Sequence, residues 1–335
     1  MEALITIWIA AIGLSVGSFL NVVIARLPHD ESVVRPRSKC PKCGHQLPWY
    51  ENVPVVSWLV LRGKCSGCQA PISPRYILVE LLTGTLFVAA TGRFGFDWPL
   101  VSALTFFTFL IPLIFIDAEH WILPFELTLP AIAAGLLLAI PQGQGAFLTA
   151  LLGAVAAFLV FRAMEIFGWL ITGREAMGAG DKYLMAMIGA QVGWRSLLGV
   201  ILFSSLQGAV VGLARMRLTG RAGPAVPEGA QPKEDAALEE PQREPFTPDF
   251  LKPGLPWWKR VVMVPYTIFL QDIPDSPPPD ETTGEVPDWE PQANNIPFGP
   301  WIGLAGIEVM MLGPWIVDRL AHTPWRLLSE IVFGR

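Results

Sequence analysis

Charge is scarce in this chain: Asp, Glu, Lys and Arg make up 16% of its 335 residues, against 52% hydrophobic residues. So thin a polar complement excludes an ordinary soluble enzyme and points to a protein that crosses a membrane several times. Its basic residues are few and are not interleaved with aromatics as a nucleic-acid interface requires, so no nucleic-acid partner is expected. The formal net charge of -5 is weak and unevenly spread, and says little about partners. No internal repeat is evident. No basic residue precedes the first apolar run, residues 3–25, whereas Arg26 follows it. A secretory signal carries its charge in front, so this run reads as a membrane crossing. The positive-inside bias places its start outside and Arg26 in the cytoplasm.

Long apolar runs dominate what is there. With roughly 20 residues per crossing, about eight spans are expected, near 4–25, 76–92, 99–116, 122–140, 146–170, 181–193, 196–215 and 298–317. The sixth is short and begins at Asp181, so it is expected to lie partly within protein or to line a cavity. The predicted organisation is a first transmembrane helix (1–25), a cytoplasmic loop (26–75), a transmembrane core (76–215), an acidic Pro-rich cytoplasmic insertion (216–297), and a last helix with its tail (298–335). The loop 26–75 is basic, and counting crossings in pairs returns Asp117, Asp181, the insertion and Ile296-Pro297-Phe298-Gly299-Pro300 to its side. Within the insertion, Trp257-Trp258-Lys259-Arg260 and the apolar stretch after it suit a surface helix or a small strand. The expected fold class is therefore an all-α polytopic membrane protein with a small cytoplasmic zinc ribbon.

The ribbon is read from the cysteines. All four fall in the first loop, as Cys40-Pro41-Lys42-Cys43 and Cys65-Ser66-Gly67-Cys68. Two C-x-x-C pairs at this separation fit a tetrahedral four-thiolate zinc site. Disulfides suit a reducing cytoplasm less well, and unligated thiols are the plain alternative. Four thiolates leave no position for water, so such a metal would be structural.

Two acids sit at the edges of apolar runs. Asp117 closes the run Phe106 to Ile116, and Asp181 stands in Met177-Gly178-Ala179-Gly180-Asp181-Lys182. Acids beside lipid are costly and usually functional. Two carboxylates that share a proton can hydrolyse a peptide: one takes a proton from water while the other polarises the carbonyl. Gly178 and Gly180 would keep side chains away and let a substrate strand approach the backbone. Helix capping by Asp181, a boundary role for Asp117, and a proton relay are the alternatives. Lys182 points about 100° away from Asp181 on a helix and is expected to snorkel to headgroups. His120 is expected to be a solvated interface residue.

At these residues the chain resembles the type IV prepilin peptidases, the leader peptidases of pilus and type II secretion systems. The resemblance runs through Gly17-Ser18-Phe19-Leu20-Asn21, the cysteine loop with Trp49-Tyr50-Glu51-Asn52-Val53-Pro54, Val79-Glu80-Leu81-Leu82-Thr83-Gly84, Ile116-Asp117, Gly173 to Asp181, and Ile296-Pro297-Phe298-Gly299-Pro300. It implies an aspartic endopeptidase of the G-x-G-D type in the bacterial inner membrane, with its active site facing the cytoplasm. Its implied partners are the bilayer and prepilin or pseudopilin substrates, cleaved after glycine at the end of a basic leader. It further implies S-adenosylmethionine-dependent methylation of the new N-terminus. Asp117 and Asp181 match the catalytic pair, Cys40, Cys43, Cys65 and Cys68 the zinc ligands, and Glu80 and Gly84 are candidates for methyl transfer. The chain departs from the family in three places. Phe125 stands where an aspartate is usual, Tyr183 where a lysine is usual, and the insertion is long. Being acidic, that insertion could attract basic leaders. A membrane adaptor that docks an assembly machine through its zinc ribbon is the alternative function.

Overall fold

A computed structural model describes residues 2–172, 177–219, 256, 259 and 297–313. The described residues contain no strand, only the isolated bridges Lys39–Gln46 and Lys64–Pro71. The helices are α1 (Glu2–Arg26), α2 (Val56–Val60), α3 (Arg75–Phe94), α4 (Trp98–His120), α5 (Phe125–Ala139), α6 (Gln144–Thr172), α7 (Asp181–Val192), α8 (Leu197–Thr219) and α9 (Gly299–Gly313). Each of the eight expected apolar runs thus contains a helix, the eighth described only as far as Gly313. Six helices among the described residues are long and apolar enough to cross a membrane: α1, α3, α4, α5 with its following turn, α6 and α8. The 12-residue α7 and the short apolar α9 are not. The seventh apolar run predicts a span ending near 215, whereas α8 runs on to Thr219. The rest of the 216–297 insertion, apart from residues 256, 259 and 297, lies outside the described residues, as do 173–176.

The chain divides into two compact units. The first takes in residues 1–156, 183–204 and 297–335, and the second 157–182 and 205–296. In the first unit α4 is the core helix: Phe106, Phe107, Leu110, Ile111, Leu113 and Ile116 are all fully or almost fully buried. Glycines bring its helices close, as expected where lipid removes the hydrophobic drive between helices. A Cβ on Gly17 of α1 would stand 2.7 Å from the Cα of Glu80 on α3. A Cβ on Gly153 of α6 would stand 2.1 Å from the carbonyl oxygen of Gly189 on α7, so neither contact admits a side chain. Outward-facing Ile7, Trp8, Leu78, Leu137 and Leu148 are more than half exposed, as lipid-facing positions should be.

The second unit has a different interior. Arg162 and Glu165 on α6 and Lys182 on α7 are buried together, in helices otherwise composed mainly of apolar residues.

Candidate active site and metal centre

The cysteine loop is built from two matching turns. Gly44 N–H donates to the Cys40 carbonyl and Cys40 N–H to the His45 carbonyl. In the second turn Gln69 N–H donates to Cys65 and Cys65 N–H to Ala70. Gly44, at φ 72°, supplies the left-handed backbone its turn requires, and Gln69 adopts the same conformation at φ 57° in the other. Each knuckle thereby presents two sulfurs, and all four Sγ atoms lie within 4.8 Å of one another. Cys40 and Cys68 are 3.8 Å apart and Cys43 and Cys65 are 3.9 Å apart. A tetrahedron with metal–sulfur bonds of about 2.3 Å has edges of about 3.8 Å, so the cluster is dimensioned for a metal ion. Backbone N–H groups of Cys43 and Lys42 draw the Cys40 thiol down to about 6. At Cys43 the His45 backbone N–H acts in the same direction, but burial and the three neighbouring thiols prevail and push it up to about 12. Glu51 stitches the two knuckles together: its Oε2 accepts from Ser66 Oγ at 2.9 Å and lies 3.3 Å from His45 Nε2.

Asp117 lies in the last turn of α4. Its backbone carbonyl accepts the N–H of Trp121, whose left-handed conformation ends the helix. Its side chain is buried, and among the described residues no protein donor meets Oδ2. The N-terminus of α9 closes over it. A Cβ on Gly299 would stand 2.5 Å from Oδ2 and 2.9 Å from Cγ, so only glycine leaves the carboxylate room. One helical turn further into α4, Ile114 blocks a Cβ on Gly303 in the same way, at 2.5 Å. The residues around Asp117 are assigned by these contacts. Glu119 pairs with Arg75, joining the end of α4 to the start of α3. His120 packs edge-on against His29, with ring centroids 5.4 Å apart. Glu126 is exposed in the first turn of α5.

Asp181 is the first residue of α7 and is buried. Its N–H donates to the Gly178 carbonyl at 3.1 Å, so Gly178-Ala179-Gly180 forms the turn that delivers it. A Cβ on Gly178 would lie 3.5 Å from Asp181 Oδ2, which is ordinary contact. The expectation that Lys182 snorkels to headgroups is overturned. Its ammonium is buried and lies 3.0 Å from both carboxylate oxygens of Glu165, which also accepts Arg162 Nη1 at 2.9 Å. A buried partner on the neighbouring helix makes inward pairing more favourable than a long reach to water. The sequence did offer a signal, since Arg162 and Glu165 stand three apart as two charges in an apolar run.

The two departures from the family pattern touch each other. The rings of Phe125 and Tyr183 meet edge to face with centroids 5.0 Å apart. Glu80 and Gly84, the methyl-transfer candidates, are both occupied structurally. Glu80 Oε2 accepts the Val55 N–H at 2.7 Å. A Cβ on Gly84 would lie 2.9 Å from Leu14 on α1, which fills the space beside it.

Comparison with known proteins bears on the family rather than on individual residues. Residues 11–94 match the bacterial peptidase A24 N-terminal domain, and residues 104–213 match the type IV leader peptidase family. The prepilin leader peptidase/N-methyltransferase of Myxococcus xanthus (strain DK1622) is 54% identical over 313 residues, 93% of this chain and 92% of that one. The protein of the same name from Aeromonas hydrophila is 43% identical over 229 residues, 61% of this chain and 79% of its own. That from Pseudomonas aeruginosa is 40% identical over 245 residues, 65% of this chain and 83% of its own. No solved structure matches. With 54% identity across nearly the whole of both chains, this chain belongs to the prepilin leader peptidase/N-methyltransferase family.

Proposed function

We propose that this chain is an aspartic endopeptidase of the bacterial inner membrane that removes the basic leader of type IV prepilins or pseudopilins after glycine, on the cytoplasmic side. It then methylates the new N-terminus. The hydrolytic chemistry rests on Asp117, an acid buried in an apolar spanning helix, with one oxygen that meets no donor among the described residues and its space kept by Gly299. Asp181, buried behind its glycine turn, is the second carboxylate. The ionised member of the pair takes a proton from water, whose oxygen attacks the scissile carbonyl carbon. The protonated member donates to the carbonyl oxygen. Collapse of the tetrahedral intermediate breaks the C–N bond, and the leaving nitrogen takes up a proton.

Cys40, Cys43, Cys65 and Cys68 would hold zinc, which has a structural role because no coordination position is left for water. The methyl donor would be S-adenosylmethionine, supplying an electrophilic methyl group to the new amine. Glu80 and Gly84 are engaged in a loop contact and a helix contact, so no step is assigned to them.

The test is purified protein in lipid with a prepilin and S-adenosylmethionine, followed by intact mass. The expected products are a leader ending in glycine and a mature chain heavier by one methyl group. An uncleaved prepilin with a well-folded enzyme would remove the peptidase reading. The same preparation should carry stoichiometric zinc by elemental analysis, lost in Cys65→Ser with Cys68→Ser.

A further inference from the structure

The cysteine loop exposes more apolar surface than a water-facing module should. Val56, Leu59 and Val60 of α2 are 55%, 58% and 73% exposed. They stand at i, i+3 and i+4, so they form one apolar face. Trp58, between them in sequence, folds back instead: a Cβ on Gly63 would stand 2.8 Å from its ring. Just before α2, Trp49 and Tyr50 are also exposed, with their rings in edge-on contact 5.8 Å apart. Apolar faces of this extent mark an interaction surface.

The depth of α2 identifies what it meets. α3 is a 20-residue candidate span, and at 1.5 Å per residue it is about 30 Å long, the thickness of the hydrocarbon core. Its first residue, Arg75, therefore sits at headgroup level. Glu80 lies five residues further in, about 7.5 Å along the axis, and its carboxylate holds the N–H of Val55 at 2.7 Å. Even if that carboxylate reaches back toward the helix start by several Å, Val55 and the helix it opens cannot rise clear of the headgroups. Val55 itself is held at φ 63°, a conformation costly for a β-branched residue, so the latch is enforced. Charge points the same way. The loop 26–75 carries eight basic and three acidic residues in a chain whose net charge is -5. Arg62 and Lys64, immediately after α2, are exposed.

We infer that α2 and the Trp49-Tyr50 turn are an interfacial anchor. The face Val56, Leu59 and Val60 is seated at the headgroup–acyl boundary, and Arg62 and Lys64 meet anionic lipid headgroups. The four-cysteine module then rests on the leaflet in which α3 begins, latched by Glu80.

Full-length protein carrying a photoreactive benzoylphenylalanine at Val60, in nanodiscs with or without anionic lipid, tests this. Leu81 on the lipid-facing side of α3 is the positive control. Lipid adducts at Val60 comparable to those at Leu81, with a severalfold loss when Arg62 and Lys64 become Gln or anionic lipid is omitted, are expected. The Leu81 yield should not change. Adducts with a prepilin, with the chain's own residues 220–296, or with no molecule would overturn the anchor. Lipid adducts indifferent to both charge changes would overturn the headgroup assignment.

Discussion

Asp117 and Asp181 are equally buried, yet the means that hold them differ. Asp117 is enclosed by shape: a glycine at the start of α9 presses its backbone against the carboxylate, and fully buried Ile116 and Leu113 precede it on α4. Asp181 is flanked by charge: the next residue, Lys182, is locked onto Glu165, which is itself locked onto Arg162. Two acids offered for one reaction are thus fixed by unlike means, and unlike surroundings are how a pair of carboxylates acquires unlike roles. An error at the first is steric and local. An error at the second disturbs a buried network of charges.

The largest expected effect breaks the steric side. Gly299→Ala places a methyl group on Asp117 and should lower prepilin cleavage about 100-fold, the usual scale for a displacement near 1 Å at a reacting group. Helicity and zinc content should not change. Cleavage rates near wild type would show that the carboxylate yields easily.

On the charged side, Glu165→Ala removes the carboxylate that Arg162 and Lys182 both bond and should destabilise the protein by about 3–5 kcal/mol, read as a fall in thermal midpoint in detergent. Replacing all three members by apolar residues of similar size (Arg162→Leu, Glu165→Leu, Lys182→Met) should recover most of that stability. If stability returns and cleavage does not, the charges serve Asp181. If both return, the triad serves only packing.

The smallest effect concerns the aromatic pair between α5 and α7. A double-mutant cycle on Phe125→Ala and Tyr183→Ala should give a coupling of about 0.5–1 kcal/mol, with little change in catalytic rate. A large rate effect from Tyr183→Phe, which keeps the ring, would instead assign a role to the hydroxyl.

These contrasts also explain what could be read in advance. The cysteine cluster was legible because each pair of ligands lies on one tight turn, where spacing alone fixes geometry. The six helices of span length were legible because apolar runs of that length admit few other structures in lipid, and the shorter α7 and α9 from their apolar composition. The two aspartates stood out as acids in such runs. Their surroundings did not, because they come from distant sequence: Gly299 reaches Asp117 from a helix 182 residues later, and Glu165 reaches Lys182 from the preceding helix. The inward turn of Lys182 runs against the sequence expectation for that reason, since a lone lysine at a helix start is better solvated at the interface than buried. The touching of Phe125 and Tyr183, and the latch from Glu80 to Val55, likewise required the helices to be in place.

The most direct measurement is prepilin cleavage by lipid-reconstituted wild type, Asp117→Asn and Asp181→Asn, each verified as folded and zinc-loaded. The asparagine variants keep the shape of each side chain and remove the ability to exchange the proton. Loss of cleavage by several orders of magnitude in both variants is the predicted result. Cleavage that persists in either variant would contradict the two-carboxylate mechanism and remove that residue from the catalytic pair.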